Sequence, residues 1–121
     1  MRWLPLVLLA GCGGGPRLAP VAGKVSMAGR AVTAGSVYLH PAPGNEWKGE
    51  PPSSVLQVDG SFTMKTYPYG DGAPLGKWKL TLGPPLSARL GKPELGDAGK
   101  SPWTVDVGAE GVKGAEYEVR P

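Results

Sequence analysis

The sequence predicts an all-β fold, an antiparallel β-sandwich of about seven strands. Three observations carry that expectation. Twenty glycines and fourteen prolines in 121 residues are spread among apolar stretches without forming a repeat, which is the composition of short strands joined by many turns. Between them, short runs alternate apolar with polar residues, so each has one apolar face. One-faced strands call for two sheets packed on each other, whereas a doubly covered parallel sheet needs runs apolar on both sides. Finally, Asp59-Gly60 separates two such runs, the strongest short-range hairpin signal there is. Nothing in the spacing suggests βαβ units.

The chain opens with Met1-Arg2 and an apolar run from Trp3 to Ala10, followed by Gly11-Cys12 and Gly13-Gly14-Gly15-Pro16. A positive start, a short apolar stretch and small residues ahead of a break form the signature of a secretory signal. The run is far short of the ~20 apolar residues that a membrane span needs. Leu9-Ala10-Gly11-Cys12 resembles the lipobox of bacterial lipoproteins. That resemblance implies cleavage after Gly11, acylation of the Cys12 thiol by palmitate or similar chains, and attachment to a membrane. Two or more acyl chains hold stably where one does not. Residue 13 is glycine, not the aspartate linked with inner-membrane retention, so the outer membrane is the expected site in a two-membrane cell. Residues 1–11 are then the signal peptide, 12–20 the lipidated cysteine with a flexible tether, and 21–121 the sandwich.

Strand signals begin in Val21-Ala22-Gly23-Lys24-Val25-Ser26-Met27, where Val21, Gly23, Val25 and Met27 share the inner face. Glycine there points to a close backbone approach. Ala28-Gly29-Arg30 turns the chain, and Ser36-Val37-Tyr38-Leu39-His40 places Val37 and Leu39 inward before Pro41 and Pro43 stop it. A polar loop, 42–52, carries Trp47. Ser54-Val55-Leu56-Gln57-Val58 and Ser61-Phe62-Thr63-Met64-Lys65 then flank Asp59-Gly60, expected as a type I′ turn with Leu56, Val58, Phe62 and Met64 facing the core.

A second loop, 67–76, leads into Lys77-Trp78-Lys79-Leu80-Thr81-Leu82, with Trp78, Leu80 and Leu82 inward. Residues 83–102 read as irregular, with Pro84-Pro85 and Pro93 and room for a helical turn at Leu86-Ser87-Ala88-Arg89-Leu90. Trp103-Thr104-Val105-Asp106-Val107 resumes the alternation with Trp103 in the core, and Ala115-Glu116-Tyr117-Glu118-Val119-Arg120 closes it with Tyr117 and Val119 inward.

Taken in order, Val21-Ala22-Gly23-Lys24-Val25, Gly35-Ser36-Val37-Tyr38-Leu39, Asp59-Gly60-Ser61-Phe62-Thr63-Met64 and Asp71-Gly72-Ala73-Pro74-Leu75-Gly76-Lys77-Trp78-Lys79-Leu80 resemble small bacterial lipoproteins abundant in planctomycetes, described as carboxypeptidase-regulatory-like or transthyretin-like domains. Lys100-Ser101-Pro102-Trp103-Thr104-Val105 is similar to their closing Ser-Pro segment. The likeness covers essentially the whole chain after the signal and implies a Greek-key, prealbumin-like topology. Residues 83–99 depart most, lacking the aromatic residue expected near Lys92. The shared motifs are mainly turn and core residues, which specify fold more than activity.

Thirteen basic against ten acidic residues give +3, and loss of Arg2 with the signal leaves +2. That charge is too slight and too scattered for nucleic-acid binding. A single cysteine excludes an internal disulfide, so an ordinary core must hold the fold. His40 is the only histidine, and no G-x-S-x-G pattern accompanies it, which argues against a catalytic triad and a zinc site. Asp71, Glu94 and Asp97 are loop carboxylates from which a calcium site could be assembled, without the close Asp/Asn ladder such sites use. Asp106, Glu116 and Glu118 fall on outward strand positions, not in the cleft that glycoside hydrolysis requires.

The expectation is a non-enzymatic module with no cofactor or metal. Its candidate contact residues are the loop aromatics Trp47, Tyr67 and Tyr69, whose rings can stack on sugars or anchor a protein. Expected partners are the membrane, through the lipid, and either a glycan or an envelope protein complex.

Overall fold

A computed structural model describes residues 16–120; Leu9, Ala10, Gly11 and Cys12 lie outside the described residues. In chain order the strands are β1 (Leu18–Ala19), β2 (Val21–Met27), β3 (Arg30–Ala31), β4 (Ser36–Pro41), β5 (Ser53–Val55), β6 (Ser61–Thr63), β7 (Lys65–Thr66), β8 (Gly70–Asp71), β9 (Ala73–Pro74), β10 (Gly76–Leu82), β11 (Thr104–Val107) and β12 (Val112–Val119). A short helix, α1 (Pro84–Arg89), and a 3-10 turn (Pro93–Gly96) lie between β10 and β11. The large sheet runs β11-β10-β4-β5-β7-β8, antiparallel throughout. In the smaller sheet β2 is the hub, pairing with β12, β3 and β6. One core joins them: Val21, Val25, Phe62 and Val119 of the small sheet meet Val37, Leu39, Leu80 and Val107 of the large one. The expected all-β sandwich is present.

One pair departs from antiparallel. β12 runs parallel to β2, with Tyr117 beside Val25 and Val119 beside Met27. The cause lies in the preceding turn, 108–111, which delivers the chain from β11 to the end where β2 begins. There the Val112 N–H donates to the Pro20 carbonyl at 2.7 Å. Gly23 has its expected close approach: a Cβ at that position would stand 2.6 Å from the Ala115 carbonyl oxygen.

Asp59-Gly60 does not form a type I′ turn. Gly60 has a positive φ of 81°, but Asp59 is not among the residues with positive φ. The Gly60 N–H donates to the Gln57 carbonyl, and the Gln57 N–H to the Ser61 carbonyl. This is the pattern of a three-residue loop with glycine in the left-handed position. Val58, expected inward, is 92 % exposed at the tip of that turn, whereas Leu56, Phe62 and Met64 are buried. The reason is that the flanking strands part company: β5 joins the large sheet and β6 the small one. The two-residue turn with both φ angles positive occurs instead at Ala28 (54°) and Gly29 (78°), between β2 and β3.

The segment 83–102 is more ordered than its prolines suggested. Pro84 and Pro85 occupy the first turn of α1 and Pro93 the first of the 3-10 turn, positions where a missing N–H costs nothing. Arg89 donates from both terminal nitrogens to the carbonyls of Thr33 and Ala34, at 2.7 and 3.0 Å, tying α1 to the β3–β4 connection. Leu18 and Ala19, read as tether, instead form β1 against β9, and Ala19 is 2 % exposed. Trp78 is fully buried, and its indole N–H donates to the Pro74 carbonyl at 2.9 Å. Trp103 and Tyr117 are half-buried, stacked edge-on at 5.7 Å where the two sheets meet.

Candidate functional site

Burial of Val37 and Leu39 turns Ser36, Tyr38 and His40 to the outer face of the large sheet. Register then builds a row across five strands: Thr81, Tyr38, Ser53, Lys65 and Asp71 are successive cross-strand partners. Beside this row lies an open groove of about 310 Å³, flanked by Tyr38 and Tyr67. Ser36, Ser53, Ser54, Thr63 and Gln57 supply its polar lining, Val55 an apolar patch, and Lys65 its one charge. The Ser54 hydroxyl donates to the Val55 carbonyl at 2.9 Å and accepts the Thr63 N–H at 3.1 Å. Thr66 anchors the loop that carries Tyr67, donating its buried hydroxyl to the Gly72 carbonyl at 2.7 Å. Tyr67 itself is 60 % exposed.

The three loop aromatics divide. Trp47 and Tyr69 meet edge-on at 6.0 Å, at the corner where the 42–47 loop packs beside β10. Trp47 is half-buried against the core, and its indole N–H donates to the Glu50 carbonyl at 2.9 Å. Tyr67 lines the groove with Tyr38 instead. Tyr38 is the site residue that the sequence reading passed over. Its signal was present: a large ring midway along a strand, between two inward residues.

A second depression, about 690 Å³, lies between the 83–102 segment and β12, lined by Lys92, Lys100, Arg120, Glu94, Glu118 and Trp103. Leu95, Pro102 and Val119 add apolar lining, but five of its nine lining residues are long charged side chains of both signs, which lose much rotamer freedom on binding. The groove on the large sheet is walled by short hydroxyl side chains fixed on strands, the more pre-organised of the two.

No family model, curated protein or solved structure matches this chain. The chemistry must therefore be read from the residues. His40 sits on the outer face with its ring 6.4 Å from that of Tyr38 and with Lys79 as its cross-strand partner. Burial holds its pKa below the ordinary 6.5, so the ring is neutral at pH 7. Asp71 lies on β8 opposite Lys65, with 4.0 Å between their charged atoms. Asp97 caps its own turn by accepting the Gly99 N–H at 2.8 Å. Among the described residues no three His, Cys, Asp or Glu side chains gather as a metal site would require. No helix among them is long and apolar enough to cross a membrane.

Proposed function

We propose that this protein is a lipid-anchored β-sandwich of the cell envelope, without catalysis of its own, that binds saccharide along the outer face of its large sheet. The observation that carries the reading is the groove between Tyr38 and Tyr67. A sugar ring offers apolar C–H faces to stack on aromatic side chains and a rim of hydroxyls for short polar ones. The groove supplies both kinds of group on a rigid sheet. Its openness suits a polymer passing through better than a small apolar ligand, which would need an enclosed pocket. The Leu9-Ala10-Gly11-Cys12 run supports the anchor, and the motifs shared with carboxypeptidase-regulatory-like lipoproteins support an exported module of that kind.

A protein partner is the weaker reading. Its natural dock would be β12, the eight-residue edge of the small sheet. That edge is interrupted by a register shift between Val112 and Ala115, with Gly114 at φ 71°, and carries Lys113, Glu116 and Glu118. Bulges and charges of this kind discourage strand addition.

The test is binding of the domain lacking residues 1–15 to a glycan array. Tyr38→Ala or Tyr67→Ala should weaken a positive signal about tenfold or more, in keeping with loss of a central aromatic contact. Trp47→Ala should leave it nearly unchanged. Loss of signal in Trp47→Ala alone would move the site to the loop corner. The anchor is tested separately, by fractionation and intact mass of the full chain against Cys12→Ser. A native chain left soluble and unmodified in a competent bacterial host would remove it.

A further inference from the structure

We propose that the end of the sandwich bearing Leu75 and the Trp47–Tyr69 pair rests directly on the bilayer surface, so that the domain stands end-on with its groove facing sideways. This inference rests on the lipid anchor at Cys12. Only five residues lie between Cys12 and Leu18, and the six Cα-to-Cα steps from one to the other span at most about 20 Å. Leu18 is itself pinned, paired with Pro74, while the next residue, Ala19, is buried. The sandwich is therefore held close to the lipid, and the end bearing Leu18 is the one the tether keeps nearest to it.

Local packing identifies what that end carries. A Cβ on Gly72 would stand 2.5 Å from the Ala19 carbonyl oxygen, which brings the β8–β9 corner against β1. Leu75 follows Pro74, the partner of Leu18, and is 37 % exposed. Asn45, two residues before Trp47, donates its side-chain N–H to the Lys77 carbonyl at 2.8 Å, holding the Trp47 loop beside the same corner. Tyr69, 50 % exposed, leans on Trp47.

The chemistry fits the headgroup layer. Rings with an apolar body and a polar handle collect at that depth, and a leucine beside them adds an apolar contact. Charges near this end are mixed and balanced, with Arg17, Lys48, Lys65 and Lys77 set against Glu46, Glu50, Asp71 and Glu110. The contact is therefore apolar and interfacial, insensitive to salt and to the content of anionic lipid.

Because acylation consumes the thiol of Cys12, a cysteine introduced elsewhere becomes the only free one and can carry a fluorophore. The experiment uses full-length acylated protein in phosphatidylcholine vesicles containing lipids with a nitroxide at headgroup depth. Fluorophores are placed through Leu75→Cys, Ala109→Cys and Val58→Cys, with intact mass first establishing the acyl chains. Ala109 lies in the 108–111 turn, whose Gly111 abuts Pro20 at the same end as Leu75. Val58 occupies the turn of Gly60, beside Val25 and Ala31 toward the other end.

Quenching at Leu75 and Ala109 should exceed that at Val58 several-fold, unchanged by 1 M salt or by added phosphatidylglycerol. Tyr69→Glu should cut the quenching at Ala109 while leaving the protein on the vesicles. Equal quenching at all three positions in acylated protein would overturn the docking and leave the anchor standing. Protein without acyl chains would overturn both.

Discussion

Ser101 shows why a proline can follow a serine at the start of an edge strand. Pro102 has no N–H to give the ladder between β10 and β11. The buried Ser101 hydroxyl donates to the Leu80 carbonyl in its place, and accepts the Trp103 N–H at 3.2 Å. The ladder then resumes through the Leu80 N–H and the Trp103 carbonyl at 3.0 Å. Ser101→Ala would leave the Leu80 carbonyl buried with its side-chain partner removed, at a cost of about 1–3 kcal/mol. Urea denaturation at neutral pH measures this. A loss within the error of the midpoint would show that the hydroxyl is dispensable.

At the scale of the elements, the parallel pair of β2 and β12 depends on the bare backbone of Gly23. Gly23→Ala would drive a methyl group into the Ala115 carbonyl, with the Phe62 ring 3.0 Å away on the other side. Neither strand can yield without breaking its register, so about 1–3 kcal/mol of overpacking strain is expected. The readout is amide hydrogen exchange, in which β12 should lose protection while β4 and β10 keep theirs. Uniform loss across both sheets would mean that the small sheet has no independent give.

Gly23 was legible in the sequence because its alternation was unbroken and a glycine on an inner face has few other uses. The turn at Asp59-Gly60 was legible as a turn but not as a type. Which residues take positive φ follows from where the two strands go next, and their separation into different sheets leaves no local mark. β1 escaped for a different reason: two residues are too few to show a period. The prolines at 84, 85 and 93 misled because proline starts helices as readily as it ends strands. Among the site residues, Tyr67 was found by exposure in a loop. Tyr38 needed the register of five strands to bring Tyr67 and the serines around it.

At the scale of the whole molecule, three described groups with shifted titration, His40, Asp59 and Tyr117, contribute to how stability varies with pH. Burial lowers the pKa of His40 below 6.5. The unfolded chain thus takes the proton more readily, and stability present above about pH 6.5 is lost as pH falls through the folded value. Asp59 is held below 3.8 by the Ser61 hydroxyl and N–H, so its share persists until far more acid conditions and then disappears. Tyr117 is pushed above 10.0 by burial, and its share is lost as pH climbs through that raised value. Thermal melts should give a plateau from roughly pH 6.5 to 10. His40→Gln should flatten the decline that begins below pH 6.5. A decline of unchanged size in that variant would assign it to other groups.

The direction shared by β2 and β12 has one more consequence. A chain that enters and leaves along neighbouring strands pointing the same way has its two exits a full strand apart, about 25 Å for eight residues. Anything joined behind Arg120 is thus carried at the opposite pole from Leu18. If lipid holds the first pole, the second is a mast-head, the natural place to mount a reporter or cargo without crowding the surface below.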